Sequence, residues 1–350
     1  MTIIDKKPSS KSNAIFQWIP GLLISAIAIF ALTKFVNIDS AIDILKKVNI
    51  LYFLLMALFT LGFLFVRAIG WQALLGPRAT YGQTFLKLNE GYFINNIFPF
   101  KLGEISRAVF MGAKMKVNPG QILSTIFVER VFDLFILAFF LLLLLPHAIG
   151  MDWVSGIARA ILVFVVLAAI GLYFVSRNYK VVKRWLQKHG GKVPFIEKRI
   201  LPFVFAVLEG FHTLRQPSQL IKGFLGIIGS WFVSFIQYSL LLYLLLPKVE
   251  IWWGAFANTL LALGVALPSA PAGLGIFESS IVAALGIFKI NQETALAFAL
   301  IMHITQFLVT GAIGLFALIQ DGYSLKGLFS NLQQQREIQM QQEQQGAEDV

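Results

Sequence analysis

Long apolar runs dominate this sequence and leave little choice of architecture. Six of them, at 15–36, 50–69, 120–147, 157–176, 222–246 and 293–320, are each about as long as a bilayer-crossing helix. Such a helix needs about 20 residues at 1.5 Å each to span roughly 30 Å of hydrocarbon. Backbone polar groups in hydrocarbon must find partners inside the chain, and unbroken runs of this length do so as helices. Composition agrees: only 13% of residues are charged, about half the share usual in soluble domains. The expected fold class is an all-α polytopic membrane protein with six spanning helices.

Two further apolar regions are interrupted. One is 83–113, "QTFLKLNEGYFINNIFPFKLGEISRAVFMGA"; the other is 252–288, "WWGAFANTLLALGVALPSAPAGLGIFESSIVAALGIF". Each reads as a short helix, a Pro/Gly break and a second short helix. Half-helices of about 14 residues reach only about 21 Å, too short to cross. Re-entrant hairpins, which enter the membrane and return to the same face, fit both regions.

Charge placement orients the chain. The linker 177–222 holds ten Lys and Arg residues against Glu197 and Glu209, so the positive-inside rule puts it in the cytoplasm. Counting outward, both termini are cytoplasmic, the first hairpin enters from the cytoplasm and the second from outside. Each hairpin sits between two spans, and the two copies point in opposite directions, an inverted-repeat arrangement found in transporters. The formal charge of +11 therefore marks topology, and no nucleic-acid partner is expected. Residues 1–14 read as a cytoplasmic tail before a retained first helix. Residues 15–320 form the membrane domain, and 321–350 a polar, Gln-rich cytoplasmic tail.

Irregular backbone survives at membrane depth only when buried in protein or lining a wet cavity, so the breaks are candidate binding elements. In the second, Pro268 and Pro271 stop one helix, Gly273 and Gly275 permit the reversal, and Glu278 falls in the first turn of the next. The free N–H groups there favour an anion. Either Glu278 occupies that position itself, or a ligand does and Glu278 handles a cation or polar headgroup. In the first break, Asn95 and Asn96 precede Pro99, and Lys101, Glu104 and Arg107 follow it. Glu104 and Arg107 are three apart, share a face and could pair. A third cluster, Glu129, Arg130 and Asp133, is costly unless it faces protein, water or the interface. Like charges at i and i+4 repel, so either Asp133 pairs with Arg107 or Arg130, or one carboxyl stays protonated. Arg67 is expected to snorkel to an interface. Asn89 and Glu90 could line the same cavity; Asn258, His303 and Gln306 read as interhelical hydrogen-bond partners.

Several chemistries find no support. Cys is absent and the four His are scattered, so no disulfide, thiolate or His-based metal site is expected. There is no GxSxG, phosphate-binding glycine loop, HExxH or paired-Asp metal motif. No cofactor is expected, and no catalytic residue is assigned.

Three segments, "NNIFPFKLGEISR" (Asn95 to Arg107), "ERVFD" (Glu129 to Asp133) and "LPSAPAGLGIFE" (Leu267 to Glu278), carry a resemblance across about residues 15–320. The chain resembles the lysylphosphatidylglycerol synthase transmembrane-region family, the flippase-like integral membrane proteins. It departs from the family pattern in carrying Ala272 where Gly is usual and Lys101 where Arg is frequent. The resemblance implies lipid handling: translocation of a phospholipid or other phosphate-bearing lipid across a plasma (inner) membrane. Lys101 and Arg107 would hold phosphate, and Glu104 and Glu278 would meet cationic or hydroxyl groups or carry protons. Expected partners are membrane lipids: an anionic or aminoacylated phospholipid, or a lipid-linked sugar. A separate synthase protein and a second copy of the chain are further candidates. In two-domain relatives a soluble domain performs aminoacyl transfer; that activity is not expected of this chain. The alternatives are a small-solute or ion secondary transporter, and a membrane-embedded lipid-linked sugar or headgroup transferase.

Overall fold

The structure, a computed structural model, describes residues 19–98, 101–149, 216–266 and 270–322, with single positions between 163 and 185. Ten helices carry the argument: α1 (Ile19–Phe35), α2 (Ile38–Lys47), α3 (Ile50–Leu75), α4 (Tyr81–Ile97), α5 (Leu102–Met115), α6 (Pro119–Ile149), α7 (Pro217–Leu245), α8 (Trp252–Gly264), α9 (Ile276–Gly286) and α10 (Gln292–Gln320). No strand occurs among the described residues, and the all-α membrane fold class holds. Three helices, α3, α7 and α10, are each long and apolar enough to cross a bilayer alone. Most of the run at 157–176 lies outside the described residues, as do most of the linker, the C-terminal tail from 323, the N-terminal tail, Pro99 and Pro268.

Both interrupted regions are helical hairpins. In the first, Gly91 of α4 sits against Gly103 and Arg107 of α5, and Lys87 lies over the Phe110 ring. The pairing runs backward along the sequence, so α4 and α5 are antiparallel. In the second, Gly264 meets Ser280 and Trp253 stacks on Phe288 at 4.4 Å, again antiparallel. The aromatic residues Trp252, Phe256 and Phe288 close the open end of this hairpin edge to face.

The long helices show that the hairpins enter from opposite ends. Helices α3 and α7 are antiparallel: Gly70 abuts Gly226 and Ile227, while Gln237 donates to the Met56 carbonyl and Thr60, each at 2.9 Å. The glycines allow the backbones to touch where the helices cross. Helix α3 feeds the first hairpin from its C-terminal end, and α7 feeds the second from its C-terminal end. Since the two helices oppose each other, the hairpins lie at opposite ends of the bundle. Each first half-helix packs on the last long helix of the other repeat, α4 on α10 and α8 on α6.

One element departs from the sequence expectation. Only a loop connecting the first two apolar runs is expected over 37–49, outside the cytoplasm by the same charge count, yet most of these residues form α2. Asn37 caps it by accepting from the Ser40 N–H at 3.0 Å. Ile38, Ala41 and Leu45 then recur on one face and pack against neighbouring apolar side chains. The chain turns by 85° between α1 and α2.

Candidate functional site

The tips of the two hairpins meet a chamber of about 470 Å³. Asn95, Asn96, Lys101, Glu104 and Arg107 reach it from the first hairpin; Ala270, Ala272, Gly273 and Phe277 reach it from the second. Helix α3 adds Arg67, α6 adds Arg130 and Asp133, and α10 adds Gln306 and Thr310. Of the sequence-derived candidates, Glu129, Gly275 and Glu278 stand behind the wall, and so do Asn89 and Glu90. Asn258 also lines the chamber while donating to Ser234 at 2.9 Å.

One side of the chamber is an ion cluster built on Glu129. Its carboxylate is fully buried and accepts from Arg67 Nη2 at 2.6 Å, Arg107 Nη2 at 2.8 Å and Arg130 Nη2 at 3.0 Å. Asp133, one turn further along α6, takes both terminal nitrogens of Arg67 at 2.7 and 2.5 Å. It also accepts from Trp231 Nε1 at 2.9 Å and lies 3.2 Å from Arg130. The Arg107 guanidinium lies 4.0 Å over the Trp71 ring, a cation–π contact in a dry setting. Trp71 is itself anchored by donating to Thr125 at 3.0 Å.

These pairings correct two expectations. Arg67 does not snorkel; it is buried at 3% exposure and joins α3 to α6. Carboxylates at i and i+4 share a helix face, and the fork of a guanidinium spans both. That spacing was the available signal. Glu104 and Arg107 share a face of α5 yet each pairs outward, Glu104 with Arg130 at 3.3 Å and Arg107 with Glu129. Of the two arginines offered to Asp133, Arg130 pairs with it, and Arg67 supplies the bidentate contact.

The tip of the first hairpin is fixed by short-range chemistry. Lys101 adopts the left-handed conformation at φ 53°. Asn95 accepts from the Gly103 N–H at 2.7 Å and thereby closes the break. Asn96 donates to Thr310 of α10 at 3.0 Å. Further down, buried Lys87 bonds Glu90 at 2.8 Å and also pairs with Asp321, just past the end of α10.

The second tip is held by Glu278 and His303. Glu278 accepts from the Gly275 N–H at 2.8 Å, so this carboxylate itself fills the N-terminal position of α9 that favours an anion. Its other oxygen lies 2.6 Å from His303 Nδ1, while His303 Nε2 lies 3.1 Å from the Ala272 carbonyl. A carbonyl can only accept, so Nε2 carries a hydrogen. One further proton then lies between Nδ1 and Glu278, and the pair is neutral overall. The His303 ring also stacks on Phe277 at 4.3 Å. Sequence reasoning treated His303 as a plain interhelical partner; its three contacts make it the anchor of the tip.

Ala272 sits at φ 58°, where a Cβ costs about 1–2 kcal/mol. Replacement by Gly relieves that cost but adds chain entropy to the unfolded state. Ala272→Gly is therefore expected to gain about 1 kcal/mol, read as a higher thermal midpoint in detergent. A lower midpoint would show that the Ala272 methyl contributes packing that outweighs the strain.

The fold and the chamber define a class: an α-helical integral membrane protein in which two oppositely inserted hairpins close on a charged internal chamber. The model of the lysylphosphatidylglycerol synthase transmembrane region matches residues 18–314. The chain belongs to that family. It is similar to two proteins of Methanocaldococcus jannaschii. UPF0104 membrane protein MJ1595 is 23% identical over 314 residues, which is 85% of this chain and 93% of that protein. UPF0104 membrane protein MJ1078 is 24% identical over 221 residues, 61% of this chain and 88% of that protein. No solved structure matches the chain.

Proposed function

We propose that this protein moves a phosphate-bearing lipid across the bilayer, with the headgroup passing through the chamber while the acyl chains stay in lipid. One observation carries the reading: both hairpin tips wall the same headgroup-sized space. At about 470 Å³ it falls in the usual range for small-molecule sites. Its wall is mostly apolar and its charges cluster on one side, as a headgroup still attached to its chains requires. Family membership supports a role in lipid handling. The basic linker supports an orientation with both termini in the cytoplasm of a cell bounded by this membrane. A headgroup-transferase reading needs a free carboxylate as base. Glu104, Glu129 and Asp133 are each committed to arginine, and Glu278 to His303.

The test fills the chamber. Ala266 lines it and is exposed to it, so Ala266→Trp adds bulk without crowding a packed core. Purified protein in vesicles should move fluorescent phospholipid between leaflets. The Ala266→Trp protein should move it no faster than empty vesicles while melting at the wild-type temperature. Undiminished movement in that variant would remove the chamber from the path.

A further inference from the structure

The charges around the chamber are not balanced. Four cations (Lys101, Arg67, Arg107 and Arg130) surround it, against three carboxylates (Glu104, Asp133 and, just behind, Glu129). All three carboxylates are ion-paired with arginine. The Lys101 ammonium has no ion pair or hydrogen bond among the described residues; only its carbonyl is engaged, accepting from the Glu104 N–H at 3.0 Å. The residue is exposed at the tip of the first hairpin and borders the chamber.

Hydrogen-bond accounting leans the same way. Arg107, at 2% exposure, keeps its Nε–H without a partner, and so does Arg130, whose Nε lies beside Glu104 but off line for a bond. The unpartnered acceptors among the described residues (Asn89 Oδ1, Glu90 Oε2 and Thr305 Oγ1) belong to residues outside the chamber wall. With no orphan acceptor on the wall, what the chamber leaves unmatched is one accessible cation, the Lys101 ammonium. An ammonium group would meet Glu129 and Asp133 in close buried pairs whose breaking costs several kcal/mol; Glu104, the one weakly held carboxylate, already faces Arg130 in a chamber of net positive charge.

We infer that the chamber selects a headgroup with one net negative charge and no ammonium, that of a phosphodiester lipid bearing hydroxyl groups, and that Lys101 is the residue that reads this charge. A phosphatidylglycerol-like headgroup fits. An ethanolamine or aminoacylated headgroup does not. This rests on the reading of the chamber as a headgroup site and narrows it. A single lysine also sets the charge: one ammonium matches a phosphodiester and leaves the second charge of a phosphomonoester unmet.

The experiment has a binding arm and a transport arm. In detergent, phosphatidylglycerol should raise the melting temperature, since a ligand that binds only the folded state stabilises it by mass action. Phosphatidylethanolamine, lysylphosphatidylglycerol and water-soluble glycerophosphoglycerol at equal concentration should leave it unchanged. In vesicles the order of movement should be the same. Lys101→Glu should weaken the phosphatidylglycerol response by roughly tenfold, which corresponds to about 1.4 kcal/mol of headgroup contact. It should also gain a response to lysylphosphatidylglycerol, which a misfolded protein could not show; Lys101→Arg should retain the wild-type order. Equal shifts from the anionic and amino lipids, or an unaltered Lys101→Glu protein, overturn the inference. A response to glycerophosphoglycerol equal to that of the lipid overturns the choice of a lipid over a free phosphodiester. Binding of phosphatidylglycerol without movement leaves the selectivity standing and defeats the transport reading.

Discussion

The Glu129→Gln protein is expected to lose about 3–5 kcal/mol of stability, the cost of breaking a buried ion pair by removing one partner. Three guanidinium groups converge on that one carboxylate. The amide keeps the shape but offers one neutral acceptor, so Arg67, Arg107 and Arg130 would face mutual repulsion in a dry site. The comparison that gives the number meaning is Glu104→Gln. Glu104 has a 26% exposed side chain and one partner at 3.3 Å, a geometry worth at most about 1 kcal/mol. Both are read as denaturant midpoints in micelles. Losses of similar size would mean that Glu129 is not the centre of the cluster. Since α3, α5 and α6 all contribute to it, the Glu129→Gln protein should also lose the Trp71 environment, visible in its emission.

Gly103→Ala should be as damaging for a different reason. A methyl group at Gly103 would fall inside the van der Waals envelope of the Gly91 carbonyl oxygen and would lie 2.7 Å from Asn95 Oδ1. The clash is with backbone, which cannot swing aside, and Asn95 is the group that closes the break. The expected cost is about 3 kcal/mol, the upper part of the range for overpacking, together with loss of lipid movement as the tip opens. Gly311→Ala is the control. Nothing lies within 4 Å of a methyl there, and replacing glycine inside a helix should gain up to about 1 kcal/mol. A Gly103→Ala protein that melts like wild type would show that α4 and α5 can separate freely.

The hairpins were legible because the interruptions are chemically blunt. Proline removes a donor, glycine admits positive φ, and halves of 14 and 11 residues, α5 and α9, are too short to cross. The opposite insertion followed from counting Lys and Arg in the loops, and the crossing of α3 on α7 gives the same relation. Within the charged cluster only the pairing of Asp133 with Arg130, three residues apart, was legible. Arg67 lies 62 positions from Glu129, and nothing local distinguishes an arginine that meets two carboxylates from one that reaches for water. Helix α2 escaped because its apolar face is short and flanked by charge, which reads equally well as loop. The role of Glu278 was left between two alternatives, and the geometry chooses: its bonds go to Gly275 and His303. His303 was undervalued because a lone imidazole in an apolar helix carries no sign of what it faces.

Helix α10 touches both tips. His303 grips the Ala272 carbonyl of one, and Thr310, seven residues on, accepts from Asn96 of the other; about 10 Å of helix separates the two grips. Sliding this helix would therefore disturb the fastening of both tips at once. One rod thus couples the two tips, as a single shaft couples two wheels.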